Sequence, residues 1–258
     1  MNDRLGLLAD PAVRGALSRE LGWPIEHHAA IPSTQERGRA LADAGTSRAL
    51  VVADEQSAGH GRHGRAWQAP RGSSLLASWV FRPLVADPAS FALLAGVAVA
   101  RALASLGVAD AQVKWPNDVQ LRGHKVAGVL ADAVTAEDGG ALVLGIGVNV
   151  RQTREQLTEL RDIATSLAAE GLAVDRLALL ARLCIELERI ASSATERRAA
   201  LEEWRARSAT LGREVEVRPP TGAPLRGIAR AVADDGALVV DTASGPRHVL
   251  AGEVSLVR

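Results

Sequence analysis

VKWPNDVQLRGHKVAGVL, Val113 to Leu130, sets strand-like residues around two breaks, at Pro116 and at Arg122-Gly123. AQVKW reads as a short strand. Pro116 fixes its own backbone and biases Trp115 toward an extended conformation, so the strand should end here with Asn117 and Asp118 at its tip. VQLRGHKVAGVLADAV then has the alternation of a β-hairpin turning at Arg122-Gly123, with Lys125 on the return strand. The stretch also holds both lysines of the chain, Lys114 and Lys125; every other residue among the 30 Lys and Arg is arginine. One of the three asparagines, Asn117, lies here too, the others being Asn2 and Asn149.

Upstream, Ser33-Thr34-Gln35-Glu36 resembles a capping box opening a helix through about Ala44, preceded by one short helix within the first 22 residues. RALVVADEQ reads as a buried strand. SAGHGRHGRAWQAPRGS has no helical or strand period and exceeds ordinary connection lengths, which marks a functional or mobile loop. SLLASWVFRP returns to strand character. DPASFALLAGVAVARALASLG follows as a long buried helix with Asp87 or Ser90 near its start. Downstream, ALVLGIGVNV is another buried strand, and Val174 to about Arg207 holds one or two helices.

From Leu211 short alternating runs are separated by Pro-Pro, Asp-Asp-Gly and Ser-Gly-Pro, predicting a small all-β unit of about five strands such as an SH3-like barrel. The order of elements therefore predicts an α/β (α+β) fold, with a domain at residues 1–210 and a small β domain at 211–258.

The 258 residues are 47% hydrophobic and 23% charged, an ordinary globular composition. Acids and bases balance at 30 each, so no global field draws the chain to nucleic acid or a membrane, and any anion site must be local. The N-terminus lacks the layout of a signal peptide, and FALLAGVAVA is stopped by Arg101 well short of the roughly 20 residues a membrane span needs. A cytoplasmic location is expected. The single cysteine, Cys184, lies in an amphipathic helical pattern and reads as a buried structural thiol.

Gly59-His60-Gly61-Arg62-His63-Gly64 fits G-x-G-x-x-G, but Pro70 and Gly72 break the helix that a dinucleotide fingerprint requires next. The loop retains anion-binding character. Between Ser57 and Gly72 it carries Arg62, Arg65 and Arg71 and no acid. Its glycines let backbone N–H groups approach a ligand, and guanidinium groups meet phosphate through a bidentate fork. A solvated basic loop is the alternative. Asn117 and Asp118 suit a nucleotide, a metal or an incoming nucleophile, and equally an Asx-type turn. Asn149 is ambiguous between turn and ligand contact, and Lys125 between a surface lysine and a point charge for a carboxylate or phosphate. The six histidines show no metal-ligand spacing.

Taken in order, SerThrGln at 33–35, DEQSAGHGRHGRAWQAPRGSSLLAS at 54–78, KWPNDVQLRGHKVAGVL at 114–130, GIGVN at 145–149 and ATSL at 164–167 resemble the biotin–protein ligases. The closing β domain extends the resemblance over nearly the whole chain. It implies a mixed β-sheet with flanking helices, of the class II aminoacyl-tRNA synthetase-like type, plus the SH3-like barrel. It implies that biotin and ATP, with Mg²⁺ held mainly by the ATP phosphates, give biotinyl-5′-AMP, and that biotin then passes to a lysine of a biotin carboxyl carrier domain.

By the same resemblance, Ser33, Thr34, Gln35 and Gln56 would hydrogen-bond the ureido ring, with His60 and Gly61 in the loop that closes over biotin. Arg62 would hold the phosphate and Arg65 would assist. Trp67 would pack along the ligand, and Asn117 and Asn149 would line the adenylate side. Lys125 would meet the carboxylate and then the acyl-phosphate oxygen, and Asp118 would orient or deprotonate the acceptor lysine. The direct role of Lys114 stays open. One departure is clear: His60 stands where the family loop G-R-G-R-x-G-R has its first arginine. Lipoate–protein ligase is the nearest enzyme rival, and a nucleic-acid-binding protein the rival of another class. A monomer or homodimer without DNA binding or repressor activity is expected.

Overall fold

A seven-stranded mixed sheet forms the centre of the larger unit in this computed structural model, which describes residues 4–85, 88–135, 139–160 and 163–257. Its strands are β1 (Ile25–His28), β2 (Arg48–Ala53), β3 (Ser74–Phe81), β4 (Gln112–Lys114), β5 (Asp118–Leu121), β6 (His124–Val134) and β7 (Ala141–Asn149). They lie in the order β1-β2-β3-β7-β6-β5-β4. β1 and β2 are parallel, and every other neighbouring pair is antiparallel.

The expected hairpin is present. β5 and β6 pair across Arg122 and Gly123, whose φ angles of 50° and 84° are both left-handed, as a two-residue hairpin turn requires. One detail differs from the sequence reading. Asp118 does not end a strand; it opens β5 and sits opposite Lys114 across a second tight connection through Trp115, Pro116 and Asn117. β1 is an addition. Its four half-buried residues, IEHH, carry no apolar alternation, so only its parallel pairing with β2 reveals it.

Period-two alternation gives the sheet two unlike faces. Leu75, Ala77, Trp79 and Phe81 of β3 and Leu142, Leu144, Ile146 and Val148 of β7 enter the main core with helix α3 (Pro88–Ser105). α3 is long and apolar enough to cross a bilayer, but 67% of it is buried inside the fold, so its apolarity serves the core. Of its two expected starting residues, Ser90 lies in its first turn and Asp87 lies outside the described residues. Two further helices, α4 (Arg176–Ser192) and α5 (Ala194–Ala206), pack on α3. They divide at Ser193, whose extended backbone and side-chain acceptor for the Glu196 N–H cap the second. Cys184 is buried in α4, and burial pushes its thiol up to about 12, which makes it inert.

The opposite face carries Ser74, Leu76 and Ser78 on β3, against Asn149, Gly147 and Gly145 on β7. Helix α2 (Thr34–Asp43), capped by Ser33, covers only the part of this face over β2, β3, β7 and the far end of β6. A short helix, α1 (Pro11–Leu21), lies before β1.

The closing segment forms a five-stranded antiparallel sheet: β8 (Glu214–Arg218), β9 (Leu225–Val232), β10 (Leu238–Thr242), β11 (Gly245–Val249) and β12 (Glu253–Leu256). The strand number is as expected. The order β11-β10-β9-β8-β12 leaves β11 and β12 as edges, without ladder pairing between them among the described residues, so the unit is an antiparallel sheet with no hydrogen-bonded barrel closure. Its Val215, Val217, Leu238 and Val240 join the main core. Trp115, 1% exposed, links the two units through its Nε1–H to the Gly236 carbonyl, 3.0 Å.

A buried charge cluster ties β1 and β2 to α4. His27 Nε2 lies 3.3 Å from Asp54 Oδ2, and Arg176 Nη2 lies 3.7 Å from Asp54 Oδ1. Arg176 also donates to the Ser74 carbonyl at 2.8 Å. The hydrogen bond with His27 holds the Asp54 carboxyl below its usual range against the opposing effect of burial. A depressed carboxyl contributes stability that is present above its unfolded pKa and lost as pH falls through the folded one. Asp54→Asn should therefore lower the thermal midpoint at pH 7 by roughly 5 °C, for a loss of about 2 kcal/mol. The gap from wild type should begin to narrow below about pH 4, the unfolded carboxyl value, and close only as pH falls through the lower folded one. Melting curves across pH check this, and a gap of constant size as pH falls from about 7 through the carboxyl range would refute the electrostatic account.

Candidate active site

A cavity of about 610 Å³ opens on the sheet face that α2 leaves uncovered. Every residue given a site role by the resemblance lines it, and Lys114 with them: Ser33, Thr34, Gln35, Gln56, His60, Gly61, Arg62, Arg65, Trp67, Lys114, Asn117, Asp118, Lys125 and Asn149; Arg71, the third arginine of the loop, is outside the lining. Its floor is made by what the strands lack. Gly145 and Gly147 of β7 stand side by side with Leu130 and Gly128 of β6. A Cβ on Gly147 would come within 2.7 Å of the Trp67 indole, and one on Gly145 within 2.6 Å of Gln35 Oε1. One on Gly128 would meet Lys125 and Trp67 at 3.1 Å. The glycines are required by close approach.

One end of the cavity is neutral and polar, built where the N-terminus of α2 meets β3. The Thr34 N–H and hydroxyl both donate to Gln56 Oε1, at 2.7 and 3.0 Å. Ser78 Oγ lies 2.9 Å from Thr34 Oγ1 and 3.1 Å from Gln35 Oε1. The Gln35 amide nitrogen donates to Asp132 Oδ2 at 2.7 Å and to the Val143 carbonyl at 2.9 Å. Thr34, Gln35 and Ser78 are almost fully buried, so a polar atom of theirs left without a protein partner is one that a ligand must satisfy.

The other end is charged. Lys125 Nζ lies 2.6 Å from Asp118 Oδ1 and 5.6 Å from the centroid of the Trp67 ring. Its main chain is clamped by the segment at 163–165. The Lys125 N–H donates to the Ile163 carbonyl at 2.9 Å, and the Thr165 N–H donates to the Lys125 carbonyl at 2.8 Å. Burial pulls the Arg62 guanidinium below the usual arginine range, while Asp118 and Glu253 act in the opposite direction. A half-desolvated cation of this kind gains most when an anion arrives.

The glycine loop over the cavity is ordered as a miniature hairpin. The Trp67 N–H donates to the Gly59 carbonyl at 2.8 Å, and the Gly61 N–H donates to the Arg65 carbonyl at 2.8 Å. His60 pairs with Ala66 through its backbone, and its ring Nδ1 lies 3.3 Å from the Ala58 carbonyl, within the loop itself. The loop is held from above by β12. Arg65 forms an ion pair with Glu253, and Arg62 donates to the Gly252 carbonyl at 3.3 Å.

Asn117 and Asn149 line the cavity, but their amide nitrogens brace it. Asn117 donates to the Val129 carbonyl at 2.5 Å and Asn149 to the Thr165 carbonyl at 3.0 Å. Lys114 also faces the cavity.

Ser78, Gly128, Gly252 and Glu253 also line the cavity, and Asp132 holds Gln35 beside it, five residues to which the motifs in the sequence assign no role. Alternation within SLLASWVF placed a serine on the face opposite Trp79, a signal that was available for Ser78. Nothing local marks Gly252 or Glu253, because they reach the cavity through the packing of the C-terminal sheet.

Residues 29–149 match the biotin/lipoate A/B protein ligase family, and residues 210–257 match the biotin protein ligase C terminal domain. The biotin–[acetyl-CoA-carboxylase] ligase of Mycobacterium tuberculosis is 37% identical over 228 residues, covering 85% of this chain and 83% of the relative. That of Paracoccus denitrificans is 34% identical over 232 residues, covering 86% of this chain and 96% of the relative. Among solved structures, the biotin protein ligase from Aquifex aeolicus in complex with biotin and ATP aligns with a TM-score of 0.75 at 29% identity, covering 91% of this chain and 99% of that one. With this arrangement of site, floor and C-terminal sheet, the chain belongs to the biotin–protein ligase family.

Proposed function

We propose that the chain joins biotin and ATP into biotinyl-5′-AMP, releasing pyrophosphate, and passes the biotinyl group to a lysine of a biotin carboxyl carrier domain in an acyl-CoA carboxylase. The observation that carries this reading is the order of polarity along one cavity. Neutral hydrogen-bonding groups stand at the α2 end, a glycine and Trp67 floor follows, and Lys125, Arg62 and Arg65 stand at the far end. Biotin has the same order: a cyclic urea, an apolar ring and chain, and a carboxylate.

In the first step a carboxylate oxygen of biotin attacks the α-phosphorus of ATP, and the bond to the β-phosphate oxygen breaks. Lys125 draws the carboxylate into place, and Arg62 and Arg65 hold the phosphate charge that develops. Among the described residues no cluster of His, Cys, Asp and Glu converges as a cation site, so in this reading the ATP phosphates carry Mg²⁺. The loop and β12 exclude water from the mixed anhydride.

In the second step the neutral amine of the carrier lysine attacks the anhydride carbonyl, AMP leaves, and Asp118 takes the amine proton. Asp118 is paired with Lys125 at rest, so the anion that recruits Lys125 also frees the base. Catalytic and C-terminal domains at 1–210 and 211–258, a cytoplasmic location and the absence of a repressor role complete the reading. The contacts of Arg62 and Arg65 with Gly252 and Glu253 favour a C-terminal unit that holds the loop.

Biotin-dependent exchange of pyrophosphate into ATP, run beside lipoate, tests the activity; exchange with lipoate alone would overturn it. Lys125→Ala should lower exchange by on the order of 10³-fold, the scale for losing one electrostatic contact to the transition state. Arg62→Gly should still make the adenylate but release it at least about tenfold faster, equivalent to about 1.4 kcal/mol of lost retention, as read by trapping free biotinyl-AMP. Gly147→Ala should displace Trp67 and raise the KM for biotin about tenfold with kcat nearly unchanged, the signature of lost uniform binding. Steady-state kinetics with biotin check it, and an unchanged KM would refute the floor argument.

A further inference from the structure

The two glutamines at the neutral end of the cavity are locked in opposite senses, and the atoms that lock them fix the kind of ligand the site accepts. Gln56 Oε1 lies 2.7 Å from the Thr34 backbone N–H, which can only donate, so its amide NH₂ must turn the other way. Gln35 is the mirror case. Its nitrogen faces Asp132 Oδ2 at 2.7 Å and the Val143 carbonyl at 2.9 Å, and both can only accept. Turning this amide over would set its oxygen against two acceptors at once. Gln35 Oε1 is therefore held on the cavity side, where the missing Cβ of Gly145 leaves room for it. Ser78 has one hydroxyl proton and two acceptors within reach, Thr34 Oγ1 and Gln35 Oε1, so one of these always has capacity for a ligand donor.

The structure assigns to Asp132, on β6, the role of a specificity-determining positioning residue: it fixes Gln35 as a hydrogen-bond acceptor and so selects a head group that donates N–H. The assignment deepens the reading of this end as the seat of the biotin urea, and it rests on that reading. Arg39 Nη2 meets the same Asp132 oxygen at 2.9 Å, which holds the carboxylate beside the amide. Asp132 itself is outside the cavity wall, so it acts through Gln35. A cyclic urea offers two N–H donors and one carbonyl acceptor, matching an acceptor amide and a donor amide set in one pocket. A ligand with only acceptors at its head would find Gln35 wrongly poled and buried, where a mismatched polar pair costs most.

Biotin dissociation constants, measured by calorimetry on the full chain without ATP, test this. Asp132→Ala should weaken biotin roughly tenfold, and Asp132→Asn, which keeps a carbonyl acceptor of the same shape, should stay within about threefold of wild type. Gln35→Ala should also weaken binding. The double variant should be no weaker than Gln35→Ala alone, because Asp132 has nothing left to orient. A biotin analogue methylated on a ureido nitrogen supplies the second readout: its disadvantage against biotin should shrink in Asp132→Ala. Asp132→Ser, too short to reach Gln35, replaces alanine if that variant does not fold. Unchanged affinity in the truncation, or additive losses in the double variant, overturns the role of Asp132 while leaving the site reading in place. If Gln35→Ala binds biotin as wild type does, the seat of the urea is itself misplaced.

Discussion

One sheet has to be both a wall of the core and the floor of a binding site, and the rest of the molecule follows from that double duty. Strand geometry permits it because successive side chains point to opposite faces. On β3 and β7 one face is Leu, Ala, Trp, Phe, Ile and Val, buried in the main core. The other face is Ser74, Leu76, Ser78, Gly145, Gly147 and Asn149. A one-residue slip between these strands would put glycine into the core and leucine into the cavity. Register is thus specified by both faces together, and the site is as deeply encoded as the core.

Charge is handled by the same economy. Three cations at or beside the cavity have carboxylate partners: Lys125 has Asp118, Arg65 has Glu253, and Arg39 has Asp132. Such pairs temper the positive charge without cancelling it, because Arg62 and Lys114 also line the cavity. The balanced composition of the chain is the large-scale counterpart, with no long-range attraction for anions and all of the selectivity kept local.

Much of this was legible in the sequence because its signals are local. Arg122-Gly123 between alternating runs announced a hairpin, and the length and aperiodicity of the glycine-arginine segment announced a loop of its own, which lines the cavity. Other features were illegible for physical reasons. β1 is too short and too polar to show a period, and exists because β2 offers it an edge. The place of Asp118 at the start of β5 depends on pairing with Lys114, which no propensity reveals. The side-chain amides of Asn117 and Asn149 turned out to brace main-chain carbonyls while lining the cavity, and composition cannot separate those duties. Gly252 and Glu253 reach the loop only because Trp115, Thr210 and Gly236 fasten the C-terminal sheet beside the cavity.

The tie between the loop and β12 has a thermodynamic meaning of its own. Arg62 and Arg65 form one side of it, and Gly252 and Glu253, at the edge of the C-terminal sheet, form the other. Whatever orders the loop then also strengthens the seating of that sheet, and by reciprocity whatever loosens the sheet weakens ligand retention by the same free energy. The small unit thus behaves as a remote spring on the cavity: the firmness of its seating and the affinity of any ligand that orders the loop are two readings of a single coupling.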